Sequence, residues 1–418
     1  MNVLWFVNIV MPEFSLALGQ YQVQYGGWLS GLAGAIRAYA PEVRLTIAFL
    51  GKECRRVTVN RIAYYSLALN RKGSMEDSIK WLLSEVTPDV IHIHGTEAIA
   101  QMLPGWLFSK VPVVLSIQGI MEECSRHYLG GLRHEDLARH RSVCRCLFRR
   151  ASPWKIAEEW ERNRVPRERE ICKRVGYIIG RTDFDRLWTQ SVNPSASYFH
   201  VEEIMRPEFY APARDAKNIE PHTIYAGAAF SYCLKGGHWL VRAIHEVKKS
   251  YPDVLVRVAA GIGCKPYGIL NRLRISEYHS YLRALMKEMG VADNFGLLPM
   301  LSAKEIWDIL RRTEVFCLPS SMENSPNSLV EAQMAGVPSV VTSVGGVPSM
   351  VGSNEGVLAV PAEDPCALAK GLMMIFAERD DWQKKARMSA PQIAERHNAC
   401  KVACVYRNIY GQMLRSAQ

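Results

Sequence analysis

The sequence predicts an α/β fold with two Rossmann-like domains, each built around a parallel sheet. The chain has 418 residues, whereas one domain usually holds about 100–200. Its apolar runs are rich in Val, Ile and Leu and lack the two-residue alternation of half-exposed strands, which is typical of parallel strands buried on both faces. Helical patterns separate these runs, and the whole alternation starts again near the middle of the chain.

The first half of the chain alternates strand and helix patterns. The predicted strands are Asn2–Ile9, Val43–Phe49, Val90–His94, Val111–Ile117 and Val175–Ile179. The predicted helices are Gly27–Tyr39 and Ser74–Glu85. Strands separated by helices form βαβ units, and these units indicate a parallel sheet.

The second half repeats this pattern after a connector at Arg206–Tyr210. Its predicted strands are Thr223–Ala226, Leu255–Ala260, Asn294–Leu297, Val315–Leu318 and Ser339–Thr342, and its predicted helices are Gly237–Lys249, Ser276–Met289 and Ala303–Arg311. We therefore expect a first domain over residues 1–205, completed by a C-terminal helix over 397–418, and a second domain over 206–396. Ligands of open α/β sheets bind beyond the carboxyl ends of the strands, so we expect the site in a cleft between the domains.

The composition excludes several other classes of protein. Hydrophobic residues make up 48% and charged residues 22% of the chain, as in globular and not in disordered proteins. The apolar start, Met1–Pro12, has no basic flank and no small-residue cleavage site, so it predicts a buried strand instead of a signal peptide. No apolar run reaches the roughly 18–20 residues of a membrane-spanning helix. The scattered cysteines predict free thiols in a cytoplasmic protein.

The formal net charge of +10 is concentrated in one basic stretch, residues 126–174. Its cations are Arg126, Arg133, Arg139, Arg141, Arg145, Arg149, Arg150, Lys155, Arg162, Arg164, Arg167, Arg169, Lys173 and Arg174. Such a stretch fits peripheral contact with the anionic inner face of the cell membrane, a solvated helical face, or phosphates of nucleic acid. Charge alone does not discriminate between the first two. We expect no nucleic-acid partner.

The segment Val315–Pro348 carries the densest functional pattern. A buried strand, Val315–Leu318, leads into a polar loop, Ser320–Ser325. We expect Ser325 to be the N-cap of a helix that has Pro326 in its first turn. A helix N-terminus beyond a strand end favours an anion. Two carboxylates flank this turn, Glu323 and Glu331, and carboxylates accept hydrogen bonds from sugar or ribose hydroxyls.

These residues resemble a known family. The run ENSPNSLVE, followed by AGVP and GGVP, is similar to the E-x7-E segment of the retaining glycosyltransferases of the GT-B fold, family 4. The resemblance covers nearly the whole chain and is most specific in the second half. Within the family, residues 180–185 and 203–210 look like a branch that builds bacterial surface polysaccharides.

The resemblance implies roles for residues of the second domain. Glu331 would bind the ribose of a nucleotide-sugar donor, and Glu323 would contact the donor sugar near its anomeric carbon. Lys235 would neutralise the diphosphate leaving group. The remaining donor-binding residues are those at the loop end and helix start, whose backbone N–H groups would face the sugar and diphosphate: Asn324, Ser325, Asn327, Ser328 and Leu329.

The resemblance also implies roles in the first domain. Gly26 and Gly27 would line the cleft opposite the donor, because glycine lets the backbone approach a ligand closely. His94 matches the strand end that meets the cleft. The family usually has a histidine at the position of Gln118, and an arginine near Ala229. Gln118 would therefore contact the reacting sugar as an uncharged group, and Lys235 would be the main cation, helped by Arg206.

Neither metal nor cofactor is expected. His92 and His94 alternate along a strand and share one face, but the sequence places no third ligand beside them. The pair Asp183 and Asp185 follows another strand, where capping of the next helix is the simpler interpretation.

The sequence therefore predicts transfer of a sugar from a nucleotide-diphosphate sugar to a glycan or lipid-linked acceptor, with retention of anomeric configuration. Two alternatives stay open, a nucleotide-sugar epimerase of the same fold and a catalytically degenerate partner protein. The base, the sugar and the acceptor are not fixed. Base contacts are expected from the loops Gly261–Tyr267 and Pro299–Ser302.

Overall fold

The computed structural model describes residues 1–19, 27–140, 152–215, 218–259 and 276–416. The chain forms two compact units. The first unit contains Met1–Met121, Arg162–Arg206 and Arg396–Gln418, and the second contains Glu122–Glu161 and Pro207–Glu395. Compared with the expected boundaries, residues 122–161 lie in the second unit, and Arg206 and Arg396 lie in the first.

The first unit is built on an eight-stranded sheet, counted over the part of the chain that the structure describes. Its strands are β1 (Asn2–Val7), β2 (Arg44–Leu50), β3 (Arg55–Val59), β4 (Ile62–Leu67), β5 (Val90–His94), β6 (Val113–Ser116), β7 (Tyr177–Gly180) and β8 (Ser197–His200). They lie in the order β3-β4-β2-β1-β5-β6-β7-β8. Every pair is parallel except the hairpin β3–β4.

Helices cover this sheet. They are α1 (Pro12–Ala17), α2 (Gly27–Tyr39), α3 (Glu76–Glu85), α7 (Val165–Arg174), α8 (Asp183–Val192) and, at the C-terminus, α16 (Ala399–Ser416), with 3-10 turns at Ala98–Met102 and Gly105–Ser109. Two elements cross the boundaries between the units. Helix α4 (Met121–Arg126) begins in the first unit and continues into the second, and a π turn (Trp160–Arg164) begins in the second unit and continues into the first. None of the described helices combines the length and apolar character needed to cross a bilayer.

Strand β1 shows why the apolar runs are uninterrupted. Val3, Trp5 and Val7 pack into a core on one face of the sheet. Leu4 and Phe6 pack into a second core on the other face. Because successive side chains of a strand point to opposite faces, a sheet covered on both sides needs apolar residues at every position.

The second unit is built on a parallel six-stranded sheet within the described residues. Its strands are β9 (Thr223–Tyr225), β10 (Leu255–Ala259), β11 (Phe295–Leu298), β12 (Val315–Leu318), β13 (Ser339–Thr342) and β14 (Val357–Val360), in the order β11-β10-β9-β12-β13-β14. Its helices are α5 (His134–Ala138), α6 (Pro153–Glu159), α9 (Gly237–Ser250), α10 (Glu277–Glu288), α11 (Ala303–Leu310), α12 (Asn327–Met334), α13 (Val347–Val351), α14 (Pro365–Ala377) and α15 (Arg379–Arg396), with 3-10 turns at Pro207–Tyr210, Cys233–Lys235 and Ala292–Asn294.

The segment 122–161 is an integral part of the second unit. Leu132 and Leu137 are buried in the core of that unit. The carbonyl oxygen of Gly130 accepts hydrogen bonds from His238 Nε2 at 2.8 Å and from Trp239 Nε1 at 2.9 Å, both at the start of α9. These long-range bonds, which connect residues more than 100 positions apart, explain why sequence order alone assigns the segment to the wrong unit.

The structure corrects two further details of the sequence-based expectations. The N-cap of α12 is Pro326 and not Ser325, because Pro326 has extended backbone (φ −71°, ψ 110°) and the helix begins at Asn327. Strands β3, β4, β8 and β14 were not expected. Strands β3 and β8 are short and partly exposed, with few fully buried positions, so their patterns lack the continuous apolar character that marks the central strands.

Candidate functional site

Three loops of the second unit meet beyond the carboxyl ends of adjacent strands. They follow β9, β12 and β13, which are neighbours in the sheet. The first ends in the 3-10 turn Cys233–Lys235, the second leads into α12, and the third contains Gly345 and Gly346. In a parallel sheet, this edge is where ligands bind.

Gly236 permits a close approach between the first two loops. Its φ is +69°, and a Cβ atom built there would lie 1.8 Å from the carbonyl oxygen of Pro319. The backbone N–H of Ser321 donates to the carbonyl of Leu234 at 2.8 Å. Only a residue without a side chain fits between the loops, so Gly236 fixes its neighbour Lys235 against the loop after β12.

Lys235 and Glu323 form an ion pair at this junction. The Lys235 Nζ atom lies 2.6 Å from Glu323 Oε1, and the side chains are only 22% and 9% exposed. The Ser320 hydroxyl donates to the same Oε1 atom at 2.7 Å. A charge pair that is largely withdrawn from water interacts more strongly than one at the surface, so both groups are held in place before any ligand arrives.

The environment keeps Lys235 charged. Burial by itself lowers the pKa of Lys235, but the charge of Glu323 and the hydrogen bond to it act in the opposite direction and prevail, so the pKa lies above its ordinary value. The site therefore presents a cation at neutral pH.

The third loop holds the backbone of Glu323. The N–H of Gly346 donates to the Glu323 carbonyl at 3.0 Å, and a Cβ on Gly345 would lie 2.1 Å from that carbonyl oxygen. Thr342, at the end of β13, donates its hydroxyl to the carbonyl of Ser320. Strand β13 and the loop that follows it thus hold the loop that carries Glu323.

A narrow cavity lies between these loops. It has a volume of about 40 Å³, and its lining residues are Ala226, Gly227, Ala228, Ala229, Lys235, Phe316, Leu318, Pro319, Ser320, Glu323 and Ser328. Small-molecule pockets usually measure about 300–1,000 Å³, so this cavity can hold only part of a nucleotide sugar. Lys235, Glu323 and Ser328 all line this cavity.

Helix α12 begins beside this cavity. Asn327 and Ser328 in its first turn are half-buried, and Leu329 is buried. The first backbone N–H groups of a helix lack intrahelical acceptors and carry the positive end of the helix dipole. An anionic group in the cavity would therefore be stabilised by this helix end as well as by Lys235.

The other expected donor residues lie on the same loop and helix but do not line the cavity. Glu331 is one turn into α12 and is only 7% exposed, and Asn324 is buried in the loop. Ser325 is half-buried. Their proximity in sequence keeps them near the Lys235–Glu323 pair, and their roles stay predictions.

The structure also shows where the expected second cation lies. Ala229, which lines the cavity, is buried. Arg206 belongs to the first unit, where its aliphatic stem lies against Gly27; a Cβ on Gly27 would be 3.1 Å from Arg206 Cγ. Among the cavity-lining residues that the structure describes, Lys235 is thus the only cation.

Sequence reasoning missed an aromatic row beside Lys235. The Lys235 Nζ atom lies 5.7 Å from the centre of the Tyr232 ring. Tyr232 stacks with Tyr128 at 6.1 Å, and Tyr128 contacts Trp160 edge-on at 5.3 Å. Tyr128 and Trp160 come from the segment 122–161, which is distant in sequence, so no local pattern could have indicated this contact.

At the carboxyl edge of the first sheet, two buried histidines stack. The rings of His92 and His94 are 3.8 Å apart. His92 is hydrogen-bonded to the Tyr410 hydroxyl of α16 and to the Ser116 hydroxyl of β6, each at 2.7 Å. Neither ring nitrogen of His94 has a hydrogen-bond partner among the described residues. His94 packs against aromatic rings, including that of Trp28 at 5.8 Å.

Burial keeps both histidines neutral. It lowers the pKa of His94 to about 3. Burial, and to a smaller degree the neighbouring His94, lowers the pKa of His92 well below its usual value. At neutral pH these imidazoles are uncharged, and each carries one donor and one acceptor nitrogen.

The remaining expected residues of the first unit lie at the same sheet edge. Gly27 opens α2, directly before Trp28, and Gln118 is half-buried two residues beyond the end of β6. Because His94 of β5 pairs with Ser116 of β6, His94 and Gln118 follow neighbouring strand ends, and Trp28 of α2 contacts His94. Gly26 and the loop Gly261–Tyr267 lie outside the described residues.

Among the residues that the structure describes, no group of three or more His, Cys, Asp and Glu side chains is placed to hold a metal ion. Asp183 and Asp185 lie in the first turn of α8. Thr182 is the N-cap and accepts from the Asp185 N–H, while the Asp185 carboxylate accepts from the N–H of Arg181. The two carboxylates thus belong to a helix start.

The described parts of the basic stretch are partly neutralised by local ion pairs. Arg126 lies 2.7 Å from Glu122, Arg133 lies 3.2 Å from Asp136, and Arg174 lies 2.8 Å from Glu170. One of the interleaved aromatics, Trp154, packs against the core of the second unit. Membrane contact by this stretch stays a prediction, and residues 141–151 lie outside the description.

The two units, with their largely parallel sheets, have the GT-B fold found in solved structures of glycosyltransferases. Residues 211–392 match the family model described as glycosyl transferases group 1, and this part of the chain belongs to that family.

Relatives and solved structures agree with this assignment. The chain is 30% identical over 165 residues to D-inositol 3-phosphate glycosyltransferase of Corynebacterium urealyticum, which covers 40% of this chain but only 37% of that relative. It is 23% identical to 2-deoxystreptamine N-acetyl-D-glucosaminyltransferase of Streptomyces fradiae, over 82% of this chain and 78% of that one. Sucrose-phosphate synthase from Thermosynechococcus elongatus superposes over 100% of both chains with a TM-score of 0.71 at 16% identity.

A further solved structure contains a bound ligand. Anabaena HepE in complex with UDP-glucose matches 100% of both chains with a TM-score of 0.67 at 12% identity. At this level of identity the likeness shows the fold alone, and the substrates of this chain have to be argued from its own residues.

Proposed function

We propose that this chain transfers a sugar from a nucleoside-diphosphate sugar to a glycan or lipid-linked acceptor, with retention of anomeric configuration and without a metal ion. One observation carries the proposal: Lys235 and Glu323, 2.6 Å apart, line a narrow cavity at the N-terminal end of α12. The pair offers a cation for a leaving diphosphate and a carboxylate for a sugar within a single recess.

Lys235 and the first-turn N–H groups of α12 would stabilise the diphosphate as its charge develops. Charge stabilisation by groups fixed beforehand is commonly the largest catalytic contribution, and losing one such donor costs roughly 100- to 1,000-fold in rate. Gly236, by closing the gap to Pro319, provides the rigid placement that this mechanism needs.

The two glutamates would bind hydroxyl groups. Glu323, in the cavity, accepts from hydroxyls of the donor sugar near the anomeric carbon, and Glu331, one turn into α12, accepts from the ribose. In the reaction the bond between the anomeric carbon and the diphosphate oxygen breaks, and the acceptor oxygen bonds to that carbon on the same face. The acceptor's proton passes to the departing diphosphate, so no separate general base is assigned.

The names of relatives guide the choice of substrate. HepE was crystallised with UDP-glucose, and WaaG, whose structure matches with a TM-score of 0.59, is described as involved in lipopolysaccharide biosynthesis. We therefore propose UDP-glucose as the first donor to test and a bacterial surface polysaccharide, assembled in the cytoplasm or at the inner face of the membrane, as the destination. The donor panel below tests which nucleotide base and which sugar the chain uses.

The proposal is tested by nucleotide release from a panel of UDP-, GDP- and ADP-sugars. We expect one donor to be turned over, with at least about a 100-fold loss in Lys235→Ala. Lys249→Ala is the matched control, because Lys249 is exposed on α9 and pairs only with Glu246 among the described residues. Equal rates for wild type and Lys235→Ala would refute the proposal.

Two additional measurements separate the alternatives. Full activity in excess chelator is expected, and its abolition would overturn the metal-free mechanism. Interconversion of the donor without any acceptor would identify a nucleotide-sugar epimerase instead. A chain that neither binds nor turns over any donor of the panel would be a degenerate partner protein.

A further inference from the structure

A cavity in the first unit lies at the opposite edge of the sheet from His94. It has a volume of about 640 Å³, and it opens at the amino-terminal ends of β1, β2 and β4. Its size falls within the range of roughly 300–1,000 Å³ that is usual for small-molecule sites. His94, at the carboxyl end of β5, does not line it.

Four arginines line this cavity, which we call the arginine pocket: Arg37, Arg44, Arg56 and Arg61. A single carboxylate lines it, Glu85, which lies 3.3 Å from Arg56. Within the described residues, the other three guanidiniums have no ion pair and no side-chain hydrogen bond. All four arginines are exposed, and because they gather on one concave surface, their combined positive potential attracts an anion.

Arg61 is held at the pocket at a conformational cost. Asn60 and Arg61 form the two-residue turn between β3 and β4, with φ of +50° and +67°. A hairpin turn with two left-handed residues favours glycine at the second position, where a side chain is strained. An arginine at this position places a cation on the rim of the pocket, which glycine would not do. Strain of this kind is typical of functional sites.

The walls of the pocket complete a site for a hydroxylated anion. Hydroxyl and amide groups are supplied by Thr46, Thr58, Thr87 and Asn2. The buried side chains of Leu45 and Ile62 form an apolar floor. Guanidinium groups bind phosphate through paired hydrogen bonds, whereas hydroxyls and amides bind the hydroxyl groups of a polyol. A concave pocket of this volume encloses one small molecule or one headgroup, and not a duplex.

We propose that the arginine pocket binds a phosphate ester of a polyol or sugar, either free or as the headgroup of an anionic lipid. The site is separate from the donor site, which lies in the second unit. Occupation by a free ester would be regulatory, and occupation by a lipid would attach the first unit to a membrane through residues outside the basic stretch 126–174.

The first arm of the test uses glycerol 3-phosphate, which is also the phosphate-bearing part of phosphatidylglycerol. Binding is measured by isothermal titration in the Lys235→Ala chain, so that the donor site does not contribute. We expect the double variant Arg44→Gln, Arg61→Gln to weaken binding at least 10-fold. Arg55→Gln is the matched control, because Arg55 lies on β3 outside the pocket and pairs with Glu53.

The second arm measures co-sedimentation with phosphatidylcholine vesicles, with and without phosphatidylglycerol. Binding of glycerol 3-phosphate that the double variant loses, without binding to vesicles that contain phosphatidylglycerol, identifies a free ester as ligand. Binding only to vesicles with phosphatidylglycerol, lost in the double variant, identifies a lipid headgroup. If neither probe binds, or if the double variant binds as Arg55→Gln does, the proposal is overturned.

A folding control keeps the test decisive. Arg61→Gly removes the guanidinium and relaxes the turn, so it folds at least as well as the wild type and should still weaken binding. Donor turnover with a soluble acceptor should be unchanged in the pocket variants. Failure of the pocket proposal is therefore distinguishable from failure of the proposed transferase activity.

Discussion

The polar side chains at the carboxyl edges of the two sheets differ in charge. In the second unit, Lys235 and Glu323 form an ion pair at 2.6 Å. In the first unit, burial keeps His92 and His94 neutral, and His94 lacks a hydrogen-bond partner in the part of the chain that the structure describes. A charged pair suits an anionic ligand, whereas a neutral imidazole suits hydroxyl groups. Under the proposed function, we therefore expect the diphosphate at the edge of the second sheet and hydroxyl groups at the edge of the first.

The largest expected effect comes from a glycine that brings two loops together. In Gly236→Ala, the added Cβ would overlap the Pro319 carbonyl oxygen. The loops must separate, which displaces Lys235 from Glu323. We expect destabilisation of the second unit by at least about 3 kcal/mol, since both a steric clash and left-handed backbone are involved. Urea unfolding and donor turnover, expected to fall more than about 100-fold, are the measurements.

Gly290→Ala is the matched control for this variant. Gly290 has nearly the same φ, +65°, but no atom lies within 4 Å of the position of its Cβ. Only the left-handed backbone is penalised there, at about 1–2 kcal/mol, and activity should be retained. If both alanine variants behave alike, close approach of the loops is not what holds Lys235.

The next effect tests the charge pair itself. Glu323→Gln keeps the shape of the side chain but removes its charge, so burial becomes the dominant influence on Lys235 and lowers the pKa of that lysine. We expect a loss of roughly 100-fold in kcat/KM. We also expect activity to decline on the alkaline side at a lower pH than in the wild type, because the lysine then loses its proton within the measured range.

A pH–rate profile distinguishes this outcome from simple structural damage. Glu246→Gln is the control, because Glu246 is exposed and pairs with Lys249 on α9, away from the cavity. Its profile should match the wild type. A Glu323→Gln enzyme with an unshifted alkaline limb would show that Glu323 does not set the charge state of Lys235.

The contrast between the two edges also explains what the sequence could reveal. The segment from β12 to α12 is continuous in sequence, so one stretch of residues predicts the strand, the loop, the start of the helix and both glutamates. The central strands were predicted because their side chains are buried on both faces, as in β1. Local pattern and tertiary environment agree in these parts of the chain.

Features that depend on contacts between distant segments could not be predicted. The placement of residues 122–161 in the second unit depends on bonds such as that from His238 to Gly130, 108 positions apart. The hairpin β3–β4 was missed because its turn, Asn60–Arg61, lacks the glycine that marks such turns. The arginine pocket could not be predicted either, because its arginines belong to separate elements and come together only at the sheet edge.

The smallest of these effects concerns the neutral edge of the first sheet. His94 has a pKa of about 3 in the folded chain, below the ordinary value near 6.5 of an unfolded histidine. Below pH 6.5 the unfolded state therefore binds more protons than the folded state, and stability falls as the pH is lowered towards 3. Linkage predicts that the free energy of unfolding falls by about 2 kcal/mol between pH 7 and pH 5 because of this histidine.

His94→Gln, which does not titrate, should be less stable at pH 7 but less sensitive to acid, so its urea midpoint should approach that of the wild type as the pH falls. A constant difference between the two midpoints from pH 7 to pH 5 would show that His94 is not held neutral by burial, and the contrast between a charged and a neutral sheet edge would be lost.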